Sequence, residues 1–303
     1  MNGAEATWLT EGTRMHMHHG PIDLVIGADG PASARDIAFR AGWARFQTVL
    51  PELVAELPVL RTPADPYDPV LPQPASPVGR RMGHAVSRFA GPCFITPMAA
   101  VAGSVADEIR DAMLAVAPGL TRLYVNNGGD IALHLTDGQR FRIGMASLGD
   151  QSAQMDGVVD LTRADGIRGI ATSGRRGRSL SLGIADSVTV LADNAAMADA
   201  AATLIANAVD LPDHPAVRRE RAEEHDPDSD LAGQMVVVDV GPLSAPQIAG
   251  ALASGRARAD EFVEKGLIRG ASLLLQGQVE ICGSIAPQKI AAGSPSFRTD
   301  EVA

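Results

Sequence analysis

The sequence predicts an α+β (mixed α/β) fold in which a largely antiparallel sheet is flanked by helices, and three observations predict it. Short aliphatic and β-branched runs recur along the chain. Several are joined by glycine turns, as at NNGGD (126–130) and Asp137-Gly138, and such tight turns set antiparallel neighbours. Longer segments with small and apolar residues at helical spacing lie between them.

Residues 13–28 read as two strands around a His-Gly-Pro turn, with Leu24, Val25 and Ile26 as the buried run. From Ser33 to Leu57 a stripe through Ile37, Ala41, Ala44, Val49 and Leu53 predicts a long helix, and Pro51 predicts a break near its end. Prolines at 58, 63, 66, 69, 72, 74 and 77 make 58–79 an extended connector, and VSRF after His84 has a strand-like pattern. Pro97–Ala117 predicts a small-residue helix opened by proline. Thr121–Leu135 predicts strand, Gly-Gly turn, strand, followed by the strand RFRIGMA. Ile167–Ala192 repeats the strand-loop-strand pattern, and Asn194 or a neighbour starts the helix AAMADAAATLIANAV. Residues 210–232 read as a polar surface excursion. MVVVDVG is then a strand, Ala245–Lys265 a helix and ASLLLQGQVEI a closing strand pair, while 286–303 has no periodicity and reads as a flexible tail. Residues 1–285 are thus expected to form one continuous domain.

Of the 303 residues 46% are hydrophobic and 20% charged, enough apolar surface for a sizeable core. Thirty-six acidic against 26 basic residues give a net charge of −10, which disfavours nucleic acid and anionic membrane surfaces as partners. The Ala-rich stretches are interrupted by polar residues before they reach the ~18 apolar residues of a membrane span. The first residues lack the basic start and apolar core of a secretory signal, so a cytoplasmic location is expected. Cys93 and Cys282 are too few for a disulfide scaffold and are expected as reduced thiols.

Three segments bring small residues beside polar groups: PMAAVAG (97–103), NNGGDI (126–131) and ATSGRRGRS (171–179). Glycine lets backbone amides approach an anion, and Arg175, Arg176 and Arg178 add guanidinium groups suited to phosphate. Asp199 and Thr203, four residues apart in an alanine-rich helix, project from one face and offer a carboxylate and a hydroxyl to a hard cation such as magnesium, or else bond locally within the helix. His16 and His18 share one strand face and His19 the other; they suit a metal, a cleft cover or plain exposure.

In their chain order, MAAVAGSVAD, LYVNNGGDIA, GIATSGRRGRS and DSVTVLADNAAMADAAATLIANAV resemble the ApbE-like superfamily, that of the FAD:protein FMN transferases once associated with thiamine biosynthesis. The resemblance covers residues 97–209. It implies that the chain binds FAD or a related pyrophosphate-containing nucleotide together with magnesium. It further implies Asp199 and Thr203 as metal ligands with Ala202 as a carbonyl donor. Ala99 to Gly103 would supply another carbonyl and part of the nucleotide pocket, Asn127, Gly128, Gly129 and Asp130 would shape the pocket, and Thr172, Ser173, Gly174 and Arg175 would lie on its SG loop. Where the transferases carry a His-x-x-Asp-Pro-x-x-Gly segment this chain has SLSLGIADSVTV, and Ala102 stands near the family's lysine. The likeness is therefore to a compact branch of the superfamily. Transfer needs a group to take the hydroxyl proton, so three expectations stay open: nucleotide binding with unknown reaction, magnesium-dependent flavinylation of Ser or Thr in a protein acceptor, and a non-catalytic binding or assembly subunit. A homo-oligomer formed through the small-residue helices is also expected.

Overall fold

The computed structural model describes residues 3–64, 73–89, 91, 93–148, 153–177, 179–231 and 233–283. Arg178, the 286–303 tail and the middle of the 58–79 connector lie outside them.

Alternation builds the first strands. In β2 (Arg14–His19), Met15, Met17 and His19 turn inward while His16 and His18 face out. β3 (Ile22–Asp29) follows across the expected turn, and a further strand, β1 (Glu5–Thr10), pairs antiparallel with β2. β1 escapes the sequence reading because all six of its residues are exposed. Helix α1 (Ala32–Ala55) runs unbroken through Pro51, although Pro51 predicts a break there. The short turn α2 (Leu57–Leu60) comes next, and α3 (Pro77–Ser87) replaces both the end of the connector and the strand-like VSRF. Proline density misleads here because Pro77 occupies the first helical turn, where its missing N–H costs nothing, and the Ser76 side chain accepts from Gly79 N at 3.0 Å. Glu56 fixes this entry by accepting from Ala75 N at 2.8 Å and Ser76 N at 2.7 Å.

A 3-10 turn at Pro97–Ala100 leads into α4 (Val101–Val116). The strands β4 (Arg122–Asn127) and β5 (Asp130–Leu135) flank the Gly-Gly turn as expected. β6 (Arg140–Leu148) pairs with β7 (Ala153–Thr162) as a separate hairpin. β8 (Gly169–Ser173) and β9 (Ser187–Ala192) bracket the arginine loop, and α5 (Ala195–Ala208) follows, capped by Asn194 accepting from Met197 N at 2.8 Å. The polar stretch after it is structured: β10 (Val217–Arg221) and the turn α6 (Ala222–His225) fold back so that β10 pairs with β11 (Met235–Val240). Helix α7 (Ala245–Glu264) and the hairpin β12 (Gly270–Leu275), β13 (Gln278–Gly283) complete the described chain.

Nine strands form one sheet in the order β1-β2-β3-β4-β5-β8-β9-β12-β13, every neighbouring pair antiparallel. This is the α+β arrangement the sequence predicts. α1, α4, α5 and α7 contribute the helical side of the main core, with Phe46, Ile109, Met113, Ile205 and Phe262 buried in it. The other face of the middle strands holds a second core, in which Tyr124, Ile131 and Leu133 meet Phe141, Ile143, Val159 and Leu161 of the β6–β7 hairpin. No helix among the described residues is long and apolar enough to cross a membrane.

The small residues of α4 and α5 let the two helices and the sheet pack closely inside the molecule. A Cβ on Gly103 would come within 2.2 Å of Ala195 O, and one on Gly169 within 1.9 Å of the Asn194 carbonyl carbon. Gly169→Ala is therefore expected to cost about 3 kcal/mol or more, because the obstacle is backbone that cannot rotate away, and to lower Tm by roughly 10 °C. Gly119→Ala, whose Cβ meets nothing nearer than Ala34 Cβ at 3.8 Å, serves as the neutral control in the same thermal melts. A near-native Tm for Gly169→Ala would show that α5 can move off the sheet.

Candidate functional site

At one end of the large sheet the Gly-Gly turn, the end of β8 and the first turns of α4 and α5 meet. The Gly-Gly turn adopts positive φ at both Gly128 (66°) and Gly129 (114°), a conformation open to glycine at little cost, and Asn126 Oδ1 secures it by accepting from Gly129 N at 2.8 Å. This delivers Asn127 and Asp130 on either side. The Asn127 side-chain amide donates to Ala102 O at 3.1 Å, tying the turn to α4. Asp130 Oδ1 accepts from Thr172 N at 3.2 Å, tying it to β8. Thr172 also shares a hydroxyl contact of 2.9 Å with Thr189.

Asp199 sits at the centre of this arrangement. Its Oδ2 accepts from Gly103 N at 3.0 Å, and the Ala102 amide also bonds the carboxyl. The residue is only partly exposed to solvent. Burial, followed by the negative charge of Asp130, holds it well above the usual carboxylate range, and the two amides oppose that shift. The negative charge of Asp130 thus acts on the Asp199 carboxyl, a repulsion that a bound cation would reduce. Thr203 lies one turn further along α5 and is partly exposed, while Ala202 is wholly buried. Ala99 is partly buried in the 3-10 turn.

The SG loop is held by a buried carboxylate. Gly174 takes φ of 138° where the loop passes Asp186 O, which a Cβ would meet at 2.7 Å. Arg175 Nη2 pairs with the buried Asp186 Oδ1 at 2.6 Å, and Arg176 Nε reaches the same oxygen at 3.2 Å. Asp186 Oδ2 in turn accepts from Gln276 N at 2.6 Å. One carboxylate therefore holds two guanidinium groups and anchors the loop to the β12–β13 turn. Ser173 stays in β8, paired with Val188.

Sequence reasoning did not single out Asp186, nor Asp107 beneath the site. Asp107 Oδ2 accepts from Ala196 N at 3.0 Å at the positive end of α5, and its other oxygen lies 2.7 Å from Arg110 Nη1. Burial pushes its carboxyl up, against the pull of Arg110. The available signal was the Asp-Arg pair three residues apart on one face of an otherwise apolar helix. The histidines lie elsewhere: His16 bonds Asp23 at 3.1 Å on the outer sheet face, His19 is buried against Phe46, and His84 is on α3. His134, on β5, is held below its ordinary value by burial. Cys93 and Cys282 are free thiols.

Comparison with known proteins places the chain. A UPF0280 protein of Methanothrix thermoacetophila is 38% identical over 165 residues, 54% of this chain and 65% of that protein. One from Methanosarcina acetivorans is 34% identical over 191 residues, 62% of this chain and 69% of that protein. The chain thus spans less than two thirds of the Methanothrix relative's length. Among solved structures, the apo flavinyl transferase ApbE of Pseudomonas stutzeri aligns over 92% of this chain and 93% of its own, with 14% identity and a TM-score of 0.38. The family model described as AbpE bacteria matches residues 6–281, nearly the whole described length, and the chain belongs to this ApbE-like family.

Proposed function

We propose that the chain binds FAD or a related pyrophosphate-containing nucleotide together with a divalent cation, in the corner between the Gly-Gly turn, the SG loop and α5. The observation that carries this reading is the partly buried Asp199 carboxyl, oriented by the amides of Gly103 and Ala102 and acted on by the charge of Asp130. On this reading Asp199 and Thr203 hold the cation, with Ala202 O as the third protein donor. The Ala102 carbonyl already accepts from Asn127, so that pair serves to hold the Gly-Gly turn against α4. A bound divalent cation would supply the positive charge that neutralises a pyrophosphate. The exposed Gly128 and the neighbouring Gly129 leave the turn without side chains where a planar ring or phosphate would approach. Arg175 and Arg176 hold the SG loop through Asp186 and so fix the loop beside the proposed nucleotide position.

Two measurements test this. FAD plus magnesium is expected to raise Tm: ligand at a hundred times its Kd contributes about 2.7 kcal/mol, roughly 5–10 °C for a chain of this size. Asp199→Ala should abolish the shift, and the absence of a shift with FAD, FMN, ADP and NAD alike, each with magnesium, would overturn the reading.

The second measurement uses the Asp199 charge itself. Because its folded-state pKa is raised, its contribution to stability is complete in acid and is lost as pH rises through that folded value. Asp199→Asn keeps an acceptor oxygen and removes the charge. Without added cation, its Tm advantage over the parent is expected to grow from acid to neutral pH and to reach about 2–4 °C, while the magnesium-dependent shift disappears. Equal Tm values across the pH range would mean that Asp199 is not the charge a cation has to balance.

A further inference from the structure

The nine-stranded sheet is open, and its first edge is unusually bare. Among the described residues, β1 pairs with β2 on one side only. All six of its residues are exposed, among them Trp8 at 42% and Leu9 at 51%. Edge strands that stay unpaired are commonly blunted by Lys, Pro, a bulge or a covering element. β1 contains neither Lys nor Pro, and its register shift falls late, between Trp8 and Thr10, which leaves Glu5–Trp8 as a regular edge. Trp8 is held in place by an edge-on contact with Phe39 of α1, ring centroids 4.8 Å apart. At 100° per residue, Asp36, Arg40 and Trp43 lie on the flank of α1 next to Phe39, the flank that overlooks this edge. Asp36 and Arg40 form an exposed ion pair of 2.8 Å there.

We propose that the outer edge of β1 pairs with the same strand of a second copy of the chain, extending the sheet across a two-fold axis at Thr7. Residues directly opposite in an antiparallel pair share a face, so a symmetric pair must centre on a residue that meets its own copy. With Thr7 at the centre, a Thr–Thr pair forms on the outer face and each Trp8 lies across from the small Ala6 of the other copy on the helix face. Since Trp8 touches Phe39, the axis passes beside residues 36–40 of α1. The two copies of α1 run antiparallel across it, which sets Asp36 of one copy against Arg40 of the other. The surface is thus complementary to itself in shape at Ala6 and Trp8 and in charge at Asp36 and Arg40. A partner of uniform charge would meet one member of that pair with the wrong sign.

Sedimentation velocity on the full chain over a hundredfold concentration range tests the proposal. The parent is expected to pass from monomer to dimer. Thr7→Lys sets two like charges at the axis on a residue outside both cores, and should raise the dimer Kd at least tenfold with an unchanged circular dichroism spectrum. Arg40→Asp should weaken the dimer likewise, and Asp36→Arg added to Arg40→Asp should restore it. A parent that stays monomeric throughout, or a dimer indifferent to both Thr7→Lys and Arg40→Asp, would overturn the proposal. The second result would assign self-association to another face.

Discussion

The fold depends on how closely the backbone of α5 approaches its neighbours. Its first residues touch α4 at Gly103 and β8 at Gly169, and its last turns touch the chain at Gly183, where a Cβ would lie 2.1 Å from Ala206 O. A helix of alanines buries little apolar surface per residue, so its hold on the core comes from many short contacts instead of a few large side chains. That closeness is also what puts Asp199 within hydrogen-bond reach of the Gly103 amide: a bulkier residue at 103 would drive the helices apart and break the contact. Packing and site geometry are one constraint here. Asn194 and Asp107 complete it by satisfying the amides of Met197 and Ala196 at the start of α5.

The sheet adds the second condition. β4 and β5 are buried on both faces, alternate residues serving the helical core and the hairpin core, as Leu123 and Val125 do on one side and Tyr124 on the other. A strand covered on both faces cannot slip by one residue without exchanging its two side-chain sets. The Gly-Gly turn between these strands is consequently fixed in register, and so are Asn127 and Asp130. β8 enters antiparallel to β5, with Ile131 opposite Ile170, which carries Thr172 to the same end of the sheet. Strand register therefore brings the Gly-Gly turn and Thr172 to the same end of the sheet, while the close approach of α4 and α5 brings Gly103 to Asp199.

The sheet class, α4, α5, α7 and the Gly-Gly turn were legible because their signals are local: a period, a cap, a turn residue at a required positive φ. What escaped has a physical reason in each case. β1 shows no buried alternation because all six of its residues stay exposed, Trp8 included despite its contact with Phe39. α3 hid behind a proline that helices tolerate in their first turn, and the polar 217–225 stretch hid because its strand pairs with β11 while keeping charged side chains outward. Of the site, the segments were readable but their wiring was not. The arginines after Gly174 read as partners for an anionic ligand, and only the fold reveals that Asp186, eleven residues after Arg175, is buried beside them.

That wiring bears on how an anion would be received. Asp199, Asp130 and Asp186 bring three carboxylates toward the site region, against the two guanidinium groups that Asp186 already shares. A phosphorylated ligand would approach these carboxylates within a chain whose overall charge is −10. Protonation of Asp199 removes one of those charges, and its raised pKa shows the corner leaning that way. A divalent cation removes more: it balances Asp199 and Asp130 and adds an electrophilic centre for the ligand, without the hydrogen-bonding loss of a neutral carboxyl. On the proposed reading, cation and nucleotide binding are therefore linked, each raising the affinity for the other through the same pair of carboxylates.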